Sequence, residues 1–163
     1  MSKPRKRYRP KGVNPTVLVL AGIGQAKLTQ ADQDERTGPP RLALEQISKG
    51  QASQADWQAI FDVINMLDRF VRMPTVMRGG RDYLTSIQAV IIGILDRQRE
   101  TKTRALYPGE IEDLRGLLEL WREILSTVTN REFYEAQTRA HARVVSVLRS
   151  KTPNPQGRVV RLH

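Results

Sequence analysis

Apolar residues recur at spacings of three and four along most of the chain, and proline or glycine separates the segments they mark. Trp57, Ile60, Phe61, Ile64, Leu67 and Val71 form one such series, widened by Val63, Met66 and Phe70. Ser53 stands before it as N-cap, with Asp56 three residues on, a variant of the capping box. Pro74 and the pair Gly79-Gly80 end that helix and turn the chain. Leu84, Ile87, Ile91, Ile94 and Leu95 mark the next, starting from Arg81, and Tyr83, Val90 and Ile92 broaden its apolar surface. A surface that wide predicts the most buried member of a bundle and is also compatible with a homodimer interface. After Pro108-Gly109, the series Ile111, Leu114, Leu117, Leu118, Trp121, Leu125 and Val128 marks a third helix. Thr129 and Glu132 then make a capping box for a fourth, carrying Phe133, Ala136, Ala140, Val144, Val147 and Leu148. Pro153 and Pro155 end the ordered region.

The N-terminal third is less regular. Pro4, Pro10 and Pro15 among basic residues predict an extended arm over 1–15. Thr16 to Leu28 is a short apolar segment, helix or strand, followed by a polar stretch that Gly38-Pro39-Pro40 breaks. Pro39 or Pro40 is then expected to open a helix through Leu42, Leu44 and Ile47, with Gly50 at its C-cap. Only residues 17–24 alternate with period two, so the expected class is all-α: an up-down bundle of four to five helices with flexible basic termini. The divisions expected are a basic arm (1–15), an apolar segment and polar linker (16–39), a bundle (40–150) and a basic tail (151–163).

Charge sharpens this picture. The 163 residues hold 27 Lys and Arg against 17 Asp and Glu, a net of +10. Lys3, Arg5, Lys6, Arg7, Arg9 and Lys11 lie in the first twelve residues, and Arg149, Lys151, Arg158 and Arg161 in the last fifteen, with no acid in either stretch. The remaining 17 bases balance all 17 acids, so a neutral body carries two basic ends. Such ends suit a polyanion, because each base that pairs with a phosphate releases a counterion. These ten bases, with Tyr8 placed to stack on an exposed base, are the candidate nucleic-acid contacts, to DNA or RNA. An acidic protein partner is the alternative. No apolar run approaches the length of a membrane span, and Val17 to Ile23 is too short for a signal peptide, so a cytoplasmic location without membrane contact is expected.

Catalytic chemistry finds little to stand on. Cysteine is absent, which removes disulfides, thiol nucleophiles and thiolate metal sites, and His141 and His163 are the only histidines. His141 has Thr138 where a di-metal bundle needs Glu, so no metal site is expected. Val17 to Gly24 resembles the start of a dinucleotide fingerprint, but Lys27 stands at the third glycine position and no βαβ unit follows. A small apolar element whose glycines allow close packing is the preferred reading, with no cofactor. Glu119/Glu123 and Glu132/Glu135 alternate with Arg122 and Arg131 and read as solvated, salt-bridged faces. The chain is expected not to be an enzyme.

Two interior basic clusters remain. Arg69, Arg72, Arg78 and Arg81 flank the 73–80 turn, beside Asp68 and Asp82, and either bind phosphate or pair among themselves. Arg97, Arg99, Lys102 and Arg104 crowd a helix C-terminus, where the helix dipole favours cations, and are read as structural. Arg139 and Arg143 share a helix face that runs into the basic C-terminus.

Lys3-Pro4-Arg5-Lys6-Arg7-Tyr8-Arg9-Pro10-Lys11, with Asn14-Pro15 behind it, resembles the start of small basic proteins encoded by bacteriophages and prophages of proteobacteria. Gln51-Ala52-Ser53, entering a helix through Asn65-Met66, is similar too. The resemblance covers about half the chain. It implies a small phage accessory protein that acts on nucleic acid, or one that binds and modulates a host or phage protein. It brings no binding or catalytic residue with it.

Overall fold

In the computed structural model, five long helices follow one another: α1 Gln30–Ser48, α2 Gln54–Val71, α3 Arg81–Thr101, α4 Pro108–Thr127 and α5 Asn130–Lys151. It describes residues 22–77 and 79–151, and their side chains apart from 141 and 143–151. A helical turn at 22–25 precedes α1. Among the described residues there is no strand, only an isolated bridge between Lys27 and Thr129, so the all-α class stands.

Carboxylates at the third helical position fix four of the five helix starts. At α2 the Ser53 hydroxyl accepts from the Asp56 N–H at 3.2 Å, and the Ser53 N–H donates to the Asp56 carboxylate at 2.7 Å. Thr129 and Glu132 repeat this at α5, at 3.3 and 2.9 Å. Thr29 and Asp32 do so at α1, at 3.2 and 3.1 Å. At α4 the Tyr107 N–H donates to Glu110 at 2.7 Å, and Pro108 opens the first turn, where no N–H is needed. Each arrangement satisfies donors that a helix start otherwise leaves unpaired. α1 ends as the sequence predicts: Gly50, at φ +70°, and Gln51 donate to the carbonyls of Ile47 and Gln46, closing a Schellman motif.

The expected break at Gly38-Pro39-Pro40 is not there. α1 begins at Gln30 and runs through both prolines, so the polar stretch expected to be a linker is its first half. Pro40 lacks the N–H that would bond the Arg36 carbonyl one turn back. The indole N–H of Trp121, on α4, donates to that carbonyl instead, at 3.1 Å. Gly38, before Pro39, has no Cβ and so lacks one of the two groups whose clash with the proline ring disfavours helix.

α2 is the central helix. It touches all four others, while α1 also lies on α4 and α3 also lies on α4. Ile60, Val63, Ile64, Leu67 and Phe70 bury its inner positions, and the Phe70 ring lies 6.3 Å from Trp121 and 6.4 Å from Phe133. This corrects the expectation for the helix at 81–101. α3 buries Leu84, Ile87, Ile91 and Ile94 along one stripe, but it sits at the rim and leaves Ile92 58% exposed. The width of an apolar surface does not report how many neighbours cover it.

Residues 22–29 are tied to the α4–α5 corner. The Asn130 N–H donates to the Ala26 carbonyl at 2.8 Å, and Gly24 lies against the Cβ of Arg131. A Cβ at Gly24 would meet that atom at an ordinary 3.6 Å, and one at Gly22 would meet nothing. The close packing through glycine expected for the 17–24 segment is therefore not seen at these two positions. Residues 17–21 fall outside the described residues.

Two tests follow from this packing. Trp121→Phe leaves the Arg36 carbonyl unpaired and is expected to cost about 1–3 kcal/mol in urea unfolding. In a Pro40→Ala background, where the restored backbone N–H competes for the same carbonyl, that cost is expected to shrink by about 1 kcal/mol. The second test is acid stability. Hydrogen bonds from Thr29 hold the Asp32 carboxyl below its ordinary value, and those from Ser53 do the same for Asp56. The Thr129 N–H, opposed by partial burial, likewise lowers Glu132. Folded values below the unfolded ones mean that these carboxylates stabilise the fold fully above about pH 5 and lose that effect as pH falls toward about 2. The melting temperature is expected to drop over that window, and less steeply when Asp32, Asp56 and Glu132 are replaced by their amides.

Candidate nucleic-acid interface

Lys3, Arg5, Lys6, Arg7, Tyr8, Arg9, Lys11, Arg158 and Arg161 lie outside the described residues. Arg149 and Lys151 stand at the end of α5. α5 starts against the end of α2, where the Thr75 hydroxyl donates to Glu132 at 3.1 Å and Phe133 meets Phe70. It packs on α2, and its 22 residues make roughly 33 Å of helix.

The second interior basic cluster lies at the end of α3. The segment leaving α3 lies beside the α1–α2 turn, where Gly50 faces the backbone and Cβ of Arg104. Lys49, Lys102 and Arg104 therefore gather at one corner, with Arg99 on the last turn of α3. Among the described residues none of the first three has a carboxylate within 4 Å. Arg99 meets only Asp96, at 3.4 Å, with both side chains mostly exposed. Glu100, also on that last turn, pairs with none of them. Leu95, Gln98, Arg99, Lys102 and Arg104 line a depression of about 390 Å³.

Arg97 behaves differently, and it makes the corner rigid. Its guanidinium makes two bonds to Glu110, at 2.6 and 2.7 Å, and a third to the Ala105 carbonyl at 3.1 Å. It also lies 3.9 Å from the centre of the Tyr107 ring. Partial burial raises the Glu110 carboxyl, but the bonds from Arg97 and from the Tyr107 N–H outweigh it and hold the group below its ordinary value. Gln98 adds a weak bond to the Arg104 carbonyl at 3.4 Å. The structural reading of this cluster thus fits Arg97 and leaves Arg99, Lys102 and Arg104 facing solvent. Composition alone cannot make that distinction; the signal for it is Glu110, which stands where α4 needs a capping carboxylate.

The first interior cluster is largely spent on itself. Asp68 takes Arg72 through two bonds at 3.3 Å and Arg69 at 3.7 Å. Arg81 is exposed on the first turn of α3, and Arg78 lies outside the described residues. Of the acidic pairs, Glu132 is a helix cap and Glu135 pairs with Arg139 at 2.6 Å.

A second feature lies between α1 and α4. A groove of about 720 Å³ has Leu44, Leu118 and Trp121 in its floor. Its rim carries Arg41, Lys49, Arg115 and Arg122 together with Asp34, Glu45 and Glu119. Among the described residues, no group of three or more His, Asp or Glu is placed to hold a metal ion, and no helix is long and apolar enough to cross a membrane.

The division within the basic corner is open to test. Arg97→Ala leaves the Glu110 carboxylate without its cation and is expected to lower the midpoint of urea unfolding clearly. Arg104→Ala is expected to stay within about 0.5 kcal/mol of the parent. Comparison with protein-family models, with curated proteins and with solved structures finds no match for this chain.

Proposed function

We propose that the chain is a non-catalytic nucleic-acid-binding protein, a phage or prophage accessory protein of the bacterial cytoplasm. In this reading an up-and-down bundle displays two basic ends that grip phosphates with little sequence preference. The observation that carries it is the charge layout: ten bases and no acid in the two terminal stretches, against a body whose charges cancel. The described residues support it at one point. Lys49, Lys102 and Arg104 gather on the body of the bundle without acidic partners among the described residues. Phosphate contacts by lysine and arginine bind without reading sequence.

This reading predicts steep salt dependence. With six or more phosphates engaged, affinity for a labelled oligonucleotide is expected to fall roughly a hundredfold or more between about 50 and 200 mM salt. Replacing Lys3, Arg5, Lys6, Arg7, Arg9 and Lys11 by glutamine is expected to flatten that dependence. Binding that ignores salt, or that survives this replacement unchanged, contradicts the proposal.

The α1–α4 groove favours a second reading, a module that binds and modulates a host or phage protein. An apolar floor with both signs of charge on its rim suits a protein surface better than a polyanion. The two readings separate in a pull-down after nuclease treatment at high salt. A stoichiometric partner that is lost when the groove is altered by Leu118→Glu supports the second.

A further inference from the structure

The six residues between α3 and α4, 102–107, have no regular backbone, yet they are held firmly. The Arg97 guanidinium binds the Ala105 carbonyl and Glu110 together, and Gly50 packs against Arg104. Lys102 adopts a left-handed conformation, φ 56°, at the helix end. Tyr107 stands at the N-cap of α4, a position that ordinarily selects Ser, Thr, Asp or Asn for a side-chain oxygen. Here the cap uses only the backbone N–H of Tyr107, so capping does not explain the ring. That ring rests on the Arg97 guanidinium, and the residue is 61% exposed. An aromatic face opened to solvent, fixed from behind by a cation and flanked by unpaired bases, is the combination that binds unstacked bases.

We propose that the 102–107 loop is a single-stranded nucleic-acid site on the body of the bundle. Tyr107 carries an unstacked base on its open face, and Lys102 and Arg104, with Lys49 beside them, take neighbouring phosphates. The proposal rests on the polyanion reading of the basic ends and adds to it a place and a strand preference. A duplex keeps its bases stacked on one another and offers this ring nothing, whereas a single strand presents a base face to it. The loop spans at most roughly 20 Å when extended, enough for one ring and two cations to serve consecutive parts of a short strand. The open, shallow surface at Lys102 and Arg104 suits a strand passing over it more than an enclosed mononucleotide.

The test uses the full chain and fluorescence anisotropy with a labelled oligothymidylate of about twenty nucleotides, and with a duplex of the same length. The parent is expected to bind the single strand more tightly. Tyr107→Ala is expected to weaken that binding roughly tenfold while leaving duplex binding near the parent value, and Tyr107→Phe to restore it. Lys102→Gln with Arg104→Gln is expected to make the slope of log affinity against log salt shallower by about 1.4. These two side chains have no carboxylate partner among the described residues, so this variant keeps its fold even if Tyr107→Ala loosens Arg97. Parent-like affinity and slope in all three variants, or a parent that prefers the duplex, overturns the loop site while the role of the basic ends stands. A parent that binds neither strand at low salt overturns both.

Discussion

Arg36 is where the helices are joined. Its carbonyl, released by Pro40, receives the indole N–H of Trp121 from α4. Its guanidinium donates to the Asp32 carbonyl one turn back and lies 4.4 Å from the centre of the Phe133 ring on α5. Phe133 and Trp121 both meet Phe70, which is fully buried on α2. One residue thus ties α1 to α4 and α5 around the central helix. A buried carbonyl without a donor is costly, so the proline in α1 and the tryptophan in α4 constrain each other. Sliding α1 along the bundle by one turn would break the hydrogen bond and uncover the aromatic cluster.

At the opposite end of the bundle, a second cation has a comparable role. Arg97 joins the end of α3 to the start of α4 through a two-pronged pair with Glu110, and Glu110 also caps α4 through the Tyr107 N–H. This arrangement anchors the Ala105 carbonyl and the Tyr107 ring in a loop with no regular backbone, which also carries Lys102 and Arg104. Under the proposed polyanion reading, a loop backbone already held in place loses less freedom on binding. The fold therefore uses one arginine as a fastener and leaves Lys102 and Arg104 beside it open to solvent.

Much of this architecture is written locally. Ser53-x-x-Asp56 and Thr129-x-x-Glu132 mark helix starts that the structure reproduces bond for bond, and Gly50 marks a helix end. Thr29-x-x-Asp32 is the same signal at α1, but the prolines at 39 and 40 outweigh it when the sequence is read alone. The donor that replaces the missing N–H of Pro40 comes from Trp121, 85 residues beyond Arg36, and no local pattern contains it. The rank of α2 over α3 is hidden for a similar reason. Periodicity shows which face of a helix is apolar, while the number of helices packed on it depends on tertiary arrangement. Within the basic corner, net charge is visible from composition; the separation of a clamped Arg97 from an exposed Arg104 requires knowing that Glu110 folds back against α3.

The most direct measurement is amide NMR of the full chain, titrated at low salt with a short single-stranded oligonucleotide. Shifts are expected to concentrate in the basic N-terminal stretch, at residues 98–107, at Lys49 and in the last turn of α5, while Leu44, Leu118 and Trp121 stay in place. Shifts confined to the α1–α4 groove, or none at all, would contradict a polyanion grip by the basic ends and the 102–107 loop.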